Sequence, residues 1–157
     1  MTQQGLKSAI ATKPGGKPQK PAVENWFRAD PEPHLLGSQC SACKTYFFPR
    51  ETFYCKNPDC TGTEFQEIEF SRTGTLWSYT NGCYKPPPPF VATEPFEPYT
   101  LAAVELAKEQ IVILGQVAGG AGVGDLKVGM TMELVIETLF EDDEFEHTVW
   151  KWKPVTG

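Results

Sequence analysis

Four of the five cysteines lie within 21 residues, and their spacing constrains the fold of this 157-residue chain more than any other feature. Cys40, Cys43, Cys55 and Cys60 follow the pattern C-x2-C-x11-C-x4-C. Two close pairs, each on a tight turn, can place four sulfurs in a tetrahedron around one soft metal ion. Two disulfides, which are typical of secreted proteins, or four unrelated core thiols are the competing explanations. The pattern predicts a metal site.

A complete set of four thiolates leaves no open position on the ion, so the predicted site is structural and does not activate water. Its ion is either Zn²⁺ or the iron of a rubredoxin-like electron carrier. Rubredoxin-like loops resemble this segment, but their second pair is usually C-x2-C, whereas the pair formed by Cys55 and Cys60 is two residues longer. This difference favours zinc, whose binding supplies roughly 10–16 kcal/mol in small peptides. Residues 35–69 are therefore predicted to form a rubredoxin-like zinc ribbon.

The chain before the ribbon divides into two predicted segments. Residues 1–23 combine prolines, glycines and lysines and cannot bury much apolar surface, so they are predicted to be a flexible basic tail. Residues 24–69 are assigned to a short helix followed by the ribbon, the helix covering 24–29 before Pro31 and Pro33 end it. Trp26 and Phe27 are expected to contact either the ribbon or another subunit.

Residues 70–157 have the pattern of a β domain. The predicted strands cover 68–84, 100–106, 111–117, 130–136 and 147–153. The first is rich in Thr, Tyr, Trp and Phe, and Gly74 is expected to give it a bulge or a sharp coil. Five strands with a strongly coiled first strand predict a small barrel of the OB-fold type. The chain is therefore predicted to be mainly β, a zinc ribbon followed by a five-stranded OB-fold barrel.

A proline-rich segment joins the first two strands of the predicted barrel. Residues 85–98 contain six prolines, which favour a stiff, extended backbone. Such a loop presents Phe90 and Phe96 at a small entropic cost, so both are candidate contacts for a partner. The alternative is a rigid loop that folds back onto the barrel.

Charge and hydropathy exclude several classes of protein. Residues 70–157 carry six basic and twelve acidic residues, and the net charge of the whole chain is −6. Nucleic-acid binding relies on a basic surface, so this balance disfavours a nucleic-acid partner. The longest strongly apolar run is four residues, 111–114, far short of a membrane span. The amino-terminal residues lack the apolar block of a secretory signal, and a cytoplasmic location is expected.

Residues suited to catalysis are few. The chain has two histidines, His34 and His147, and neither lies in a motif that would activate a serine or cysteine. Cys83 is the one thiol outside the cluster, and it lies at the end of a predicted strand with no helix amino terminus or basic cluster evident to activate it. No catalytic residue is assigned, and the isolated chain is not expected to be an enzyme.

The order of these motifs resembles a known family. A cysteine ribbon is followed by residues 74–80 (GTLWSYT), the proline loop, 102–106 (AAVEL), 114–117 (LGQV) and 127–130 (KVGM). This order is similar to that of the zinc-ribbon plus OB-fold proteins that accompany thiolases and thiolase-like enzymes acting on acyl-CoA. The resemblance covers residues 24–154. It departs from the family in the longer second cysteine pair, in the basic tail, and in Lys44, where glycine is common.

The resemblance implies a non-catalytic subunit of a hetero-oligomer. Such subunits carry a structural Zn²⁺, stabilise a thiolase or thiolase-like partner and help to hold its coenzyme A thioester. Lys85, Lys151 and Lys153 are candidate contacts for coenzyme A, and Trp26, Phe27, Phe90 and Phe96 are candidate contacts for the partner. The proline loop and residues 150–154 suggest a thiolase of anaerobic aromatic degradation, such as the benzoylsuccinyl-CoA thiolase of toluene breakdown.

Two functions from other classes remain open on the sequence alone. OB-fold barrels and zinc ribbons both occur in proteins that bind single-stranded nucleic acid, so a nucleic-acid module is one alternative. An iron-containing electron carrier of the rubredoxin type is the other. A visible spectrum separates zinc from iron, since iron held by four thiolates is red.

Overall fold

The computed structural model describes residues 11–12, 16–88 and 95–155. Regular structure in these residues is β, apart from a short 3₁₀ helix at Val123–Asp125. None of the helices in the described ranges has the length and apolar character needed to cross a membrane. The prediction of a mainly β chain is confirmed.

The described residues form eleven strands. These are β1 (Ala11–Thr12), β2 (Pro18–Pro21), β3 (Phe27–Arg28), β4 (His34–Cys40), β5 (Tyr46–Phe47), β6 (Phe65–Glu69), β7 (Thr73–Gly82), β8 (Tyr99–Leu106), β9 (Ile111–Val117), β10 (Thr131–Glu141) and β11 (Glu146–Pro154). Strands β3 to β6 make one sheet, and the other seven make a second sheet that includes the barrel.

The ribbon sheet is organised around β4. This strand pairs with β3 and β5 along one side and with β6 along the other, always antiparallel. Gly37 lies at its centre, where an added Cβ would be 2.6 Å from the carbonyl oxygen of Phe47. Only glycine therefore allows β5 and the ring of Phe70 to approach β4 this closely.

Strands β7 to β11 close into a five-stranded barrel. The order around it is β7-β8-β9-β11-β10, and β10 pairs with β7 again. Closure comes from a short parallel pairing of β9 with β11, in which Gln116 lies opposite Lys151 and Val117 opposite Trp152. The predicted OB-fold barrel is confirmed.

The bulge of the first barrel strand lies at Trp77 and not at Gly74. The register of β7 against β8 shifts between Leu76 and Ser78, which leaves Trp77 as the extra residue. Gly74 has a different role, because a Cβ there would lie 2.5 Å from the carbonyl oxygen of Glu105. The glycine thus permits a close approach of β8, a requirement that the sequence pattern did not distinguish from a bulge.

An aromatic cluster joins the ribbon to the barrel. Trp150 of β11 stacks on Trp26 with ring centroids 5.9 Å apart and meets Phe27 and Phe48 edge-on at 6.0 and 5.8 Å. Phe48 also contacts Phe70, which is fully buried. Because these rings come from both sheets, the two parts of the chain share one apolar core.

The predicted helix over 24–29 is wrong. Asn25 adopts a left-handed conformation with φ of 66°, and Phe27 and Arg28 form β3. A helix of six residues is marginal in water, and the burial of Phe27 against Trp150 outweighs its weak propensity.

Part of the predicted flexible tail is also ordered. β2 pairs in parallel with the amino-terminal half of β11, at Gln19 opposite Glu146 and Lys20 opposite His147. The Lys17 ammonium group donates a 2.5 Å hydrogen bond to the carbonyl oxygen of Asp142 in the acidic turn after β10. The sequence prediction missed this strand because its partner lies more than 120 residues away. Residues 1–10 and 13–15 lie outside the described ranges.

Candidate metal centre

The four clustered cysteines converge at one end of the ribbon sheet. Their sulfur atoms all lie within 4.8 Å of one another, with Sγ of Cys40 3.8 Å from that of Cys60 and Sγ of Cys43 3.6 Å from that of Cys55. Sulfurs at ~2.3 Å from a tetrahedral Zn²⁺ are about 3.8 Å apart. The separations are too long for disulfide bonds of about 2.05 Å. The donor set and its spacing therefore fit a thiolate-bound metal ion.

The first pair of cysteines lies on a turn that follows β4. The Lys44 N–H donates to the carbonyl oxygen of Cys40, and the Cys40 N–H donates to the carbonyl oxygen of Thr45, both at 2.9 Å. Lys44 has a φ of 65°, in the left-handed region. This conformation explains why glycine is favoured after the first pair, and it places both sulfurs on the same side of the turn.

The second pair accommodates its longer spacing with a turn at Asn57. The Cys60 N–H donates to the carbonyl oxygen of Asn57 at 3.0 Å, and the Asn57 side-chain oxygen accepts from the Asp59 N–H at 3.1 Å. This side-chain bond closes an Asx turn. The two extra residues are therefore taken up inside the turn, and both sulfurs still reach the cluster.

Gly62 lies against the sulfurs and was not singled out from the sequence. Its N–H points at Sγ of Cys60 at 3.3 Å, and its carbonyl oxygen accepts from the Cys55 N–H at 2.8 Å. A Cβ at this position would lie 2.8 Å from Sγ of Cys40. The signal available in the sequence was a glycine two residues after the last cysteine.

A buried carboxylate organises the loop before Cys55. Glu51 is 9% exposed, and one of its carboxylate oxygens accepts from the N–H groups of Thr52 and Phe53 at 3.0 and 3.1 Å. The other oxygen lies 3.0 Å from the Lys56 ammonium group. The Ser38 hydroxyl completes the loop by accepting from the Glu51 N–H and donating to its carbonyl oxygen. Glu51 and Ser38 were missed because single polar residues carry no spacing signal.

The thiols differ in acidity because their surroundings differ. Hydrogen bonds from the hydroxyl and then the amide of Thr45 lower the pKa of Cys43 to about 6. Burial raises the pKa of Cys55 to about 12. The N–H of Gly62 lowers the pKa of Cys60, but burial and the neighbouring thiols outweigh it, so the net shift is upward. In the metal-free protein at neutral pH, Cys55 and Cys60 hold their protons.

Zinc binding is expected to release at least two protons per ion at pH 7. Zn²⁺ binds thiolates, so it must displace the protons of Cys55 and Cys60, whereas Cys43 is already largely ionised. Falling pH restores these protons and weakens zinc binding. Titration of the metal-free chain in weak buffer with a pH indicator measures the release. A release below two protons would contradict the assignment.

The three lysines proposed to contact coenzyme A lie in different settings. Lys151 is largely covered, with its ammonium group 3.4 Å from Glu137, and both line an open cleft of about 580 Å³. Asn81, Thr100 and Gln116 contribute polar groups to the same cleft. Lys85 and Lys153 are exposed and do not line this cleft.

The four candidate partner contacts also differ in their placement. Phe27 is 5% exposed and packs on Trp150, so the interpretation of Phe27 as a partner contact is corrected: the ring is used inside this chain. Trp26 is half-buried against the same tryptophan. Phe96 is half-buried and lies edge-on to Tyr99 at 6.4 Å. Phe90 lies outside the described residues.

The two histidines and Cys83 lie in separate settings. Nδ1 of His34 lies 3.0 Å from the carbonyl oxygen of Phe70, and Nε2 of His147 lies 2.6 Å from Asp142. Cys83 is exposed at the end of β7 and is not part of the sulfur cluster.

Two family models match adjacent parts of the chain. The first, described as "ChsH2, rubredoxin-like zinc ribbon domain", covers residues 27–66. The second, described as "ChsH2, C-terminal OB-fold domain", covers residues 67–137. Their order is that of the ribbon sheet and the barrel. The boundary between them falls inside β6, and the second model ends inside β10, so β11 lies outside it.

Related proteins extend this similarity over most of the chain. The "DUF35 domain-containing scaffold protein" of Methanocaldococcus jannaschii is 32% identical over 87% of this chain and 92% of its own length. The "Benzoylsuccinyl-CoA thiolase subunit BbsA" of Thauera aromatica is 28% identical over 70% of this chain and 75% of its own. Among solved structures, the "Ltp2-ChsH2(DUF35) aldolase" matches with a TM-score of 0.58 and 26% identity, covering 77% of this chain and 84% of that one.

Proposed function

The chain belongs to the ChsH2 family of zinc-ribbon and OB-fold proteins, and on that premise we propose that it is a non-catalytic, zinc-binding accessory subunit of a thiolase or thiolase-like acyl-CoA enzyme. The observation that carries the proposal is its similarity, over most of both chains, to a scaffold protein and to a thiolase subunit. The likeness to a chain of an aldolase complex supports the same class of partner.

The metal in this proposal is structural. Four thiolates from Cys40, Cys43, Cys55 and Cys60 would complete the coordination of Zn²⁺, which leaves no position for substrate or water. The bound ion would stabilise the ribbon, and the aromatic cluster around Trp150 would transmit that rigidity to the barrel. A rigid small subunit can stabilise a catalytic partner by presenting a preformed surface to it.

A second role is to help hold the coenzyme A part of the substrate. Coenzyme A is long, and binding energy gained far from the thioester can position the reacting carbonyl. The cleft beside β9 has the volume of a small-molecule site, and its amide and hydroxyl groups suit the amides of a pantetheine arm. Lys153 and Lys85 remain candidates for the phosphates. Lys151 is a weaker one, since Glu137 already neutralises its charge.

The proposal also includes a pathway and a cellular location. Similarity to the benzoylsuccinyl-CoA thiolase subunit supports a place in anaerobic aromatic degradation. A cluster of reduced thiols that binds metal is typical of a reducing compartment, which supports the cytoplasm.

Co-expression with a thiolase-like protein of the same organism is expected to give one complex on size-exclusion chromatography. The catalytic protein should be more soluble and more active in this complex than alone, because the small subunit covers part of its surface. Equilibrium binding of an acyl-CoA should also be tighter for the complex than for the catalytic protein alone. Separate elution with unchanged solubility and activity would contradict the accessory role, and equal acyl-CoA affinity would remove only the coenzyme A role.

A further inference from the structure

One face of the barrel carries large apolar side chains in water. It is the outer face of β7, β8 and β9, which we call the platform. The strand register places Ser78, Ala103 and Leu114 in one row across the platform, and Thr75, Glu105 and Val112 in the next. Residues in one row of a sheet point to the same side, so these rows form one continuous surface.

The large apolar side chains of the platform are unusually exposed to solvent. Trp77 is 61% exposed and Leu114 62%, and Val112 is also exposed. Backbone hydrogen bonds between Leu76 and residues 129 and 130 bring the exposed Val128 alongside the same strand. Exposed apolar residues therefore lie on both outer strands of the platform, Trp77 on β7 and Val112 and Leu114 on β9. A cluster of large exposed apolar side chains on one sheet face is typical of an interaction site.

The platform is also poor in charge. Across the three strands, all of whose residues the structure describes, Glu105 is the one charged residue. By contrast, β10 and β11 on the other side of the barrel carry Glu133, Glu137, Lys151 and Lys153 among others. Protein interfaces are depleted in charge at their centre and enriched in aromatic residues. The platform on β7 to β9 is therefore suited to docking, whereas the charged strands β10 and β11 are suited to contact with solvent.

We propose that the platform, centred on Trp77 and Leu114, is the surface through which this chain docks onto its thiolase-like catalytic partner. This inference rests on the proposed function and adds the location of the contact. The partner surface that fits is apolar with a lysine or arginine placed to meet Glu105.

The charge of Glu105 selects this occupant over two others. A second copy of this chain docked about a two-fold axis at the platform would bring the two Glu105 carboxylates towards each other without a counter-charge. Single-stranded nucleic acid would bring phosphates to a platform whose one charge is negative. A different protein with a basic group opposite Glu105 would avoid both repulsions, that between two carboxylates and that between a carboxylate and a phosphate.

Trp77 is built to anchor such a contact. It is the extra residue of the β7 bulge, and bulges redirect a side chain while the flanking ladder holds the backbone. The neighbouring Leu76 is fully buried and is hydrogen-bonded through both backbone groups to residues 129 and 130. The indole is therefore presented from a rigid backbone, which reduces the entropy lost on binding.

The test is the affinity of the full chain for the co-expressed thiolase-like protein. We expect Trp77→Ala and Leu114→Ala each to raise Kd about 30-fold or more, the effect of an interface hot spot, and Glu105→Lys to raise it as well. Phe53→Ala is the matched control, since Phe53 is 80% exposed on the ribbon, and we expect its Kd to change less than threefold. Melting temperature and zinc content identify any variant that fails to fold.

The outcomes separate this inference from the function on which it rests. If the wild-type chain forms no complex, both fail together. If the complex forms and survives both platform substitutions, the accessory role stands and the platform is excluded. Equal weakening by Phe53→Ala and the platform variants would also overturn the inference. Single-stranded DNA bound at low salt and lost in Trp77→Ala would replace the partner with nucleic acid, and dimers of the isolated chain lost in Leu114→Ala would replace it with a second copy.

Discussion

Replacing Cys55 with serine is expected to abolish zinc binding and to unfold the ribbon. Cys55 is 6% exposed and lies among the other three sulfurs, so a hydroxyl there would leave the ion with three thiolates and a weak fourth ligand. Structural zinc supplies roughly 10–16 kcal/mol in small peptides, more than a small sheet gains from its own core. Metal analysis should fall from about one zinc per chain to near zero.

Cys83→Ser is the matched control for this prediction. Cys83 is exposed and lies outside the sulfur cluster, so its replacement should leave the zinc content and the melting temperature unchanged. A red chain with iron absorption in the visible range would identify an electron carrier instead. Equal metal content in wild type and Cys55→Ser would exclude these four cysteines as the ligand set.

The metal site was predictable because its signal is local. Each pair of cysteines is joined by a single turn, so the spacing alone places two sulfurs on the same side of the chain. The surrounding residues carry no such signal. In the sequence Glu51 is only one acidic residue among many. Its role depends on the folded loop, in which its carboxylate binds the N–H groups of the next two residues and the ammonium group of Lys56.

The barrel strands were predictable for a similar reason. The sequence predictions failed where a segment pairs or packs with residues far away in the chain. Alternating apolar residues mark each strand, but they do not say which distant segment completes the sheet. β2 was interpreted as tail because a strand of Pro18–Pro21 is recognisable only beside the edge of β11 that it covers. The sequence left Phe27 between a contact with its own chain and a contact with a partner, because exposed and buried aromatic residues look the same in a sequence. Only the position of Trp150 distinguishes the two.

Trp152→Ala is expected to destabilise the barrel by about 3–5 kcal/mol, the cost of deleting a buried large aromatic side chain. Trp152 is fully buried and pairs with Leu134 of β10 and with Val117 of β9, so it lies where the barrel closes. Its indole N–H also donates to the carbonyl oxygen of Ile113 at 3.2 Å. A loss of this size is a large fraction of the ~5–15 kcal/mol that holds a domain folded. Chemical denaturation of the zinc-loaded chain measures it.

Trp77→Ala is the matched control, because it makes the same substitution in the same barrel at a side chain that is 61% exposed. Its effect on the free energy of unfolding should stay within about 0.5 kcal/mol, as for other surface positions. Trp152→Phe should lie between the two, since it keeps part of the packing and loses the hydrogen bond to Ile113. Equal losses for Trp152→Ala and Trp77→Ala would mean that the closure between β9 and β11 does not limit the stability of the barrel. A strong effect of Trp77→Ala on partner binding together with a weak one on unfolding would assign the two tryptophans to opposite tasks, one facing the core and one facing the partner.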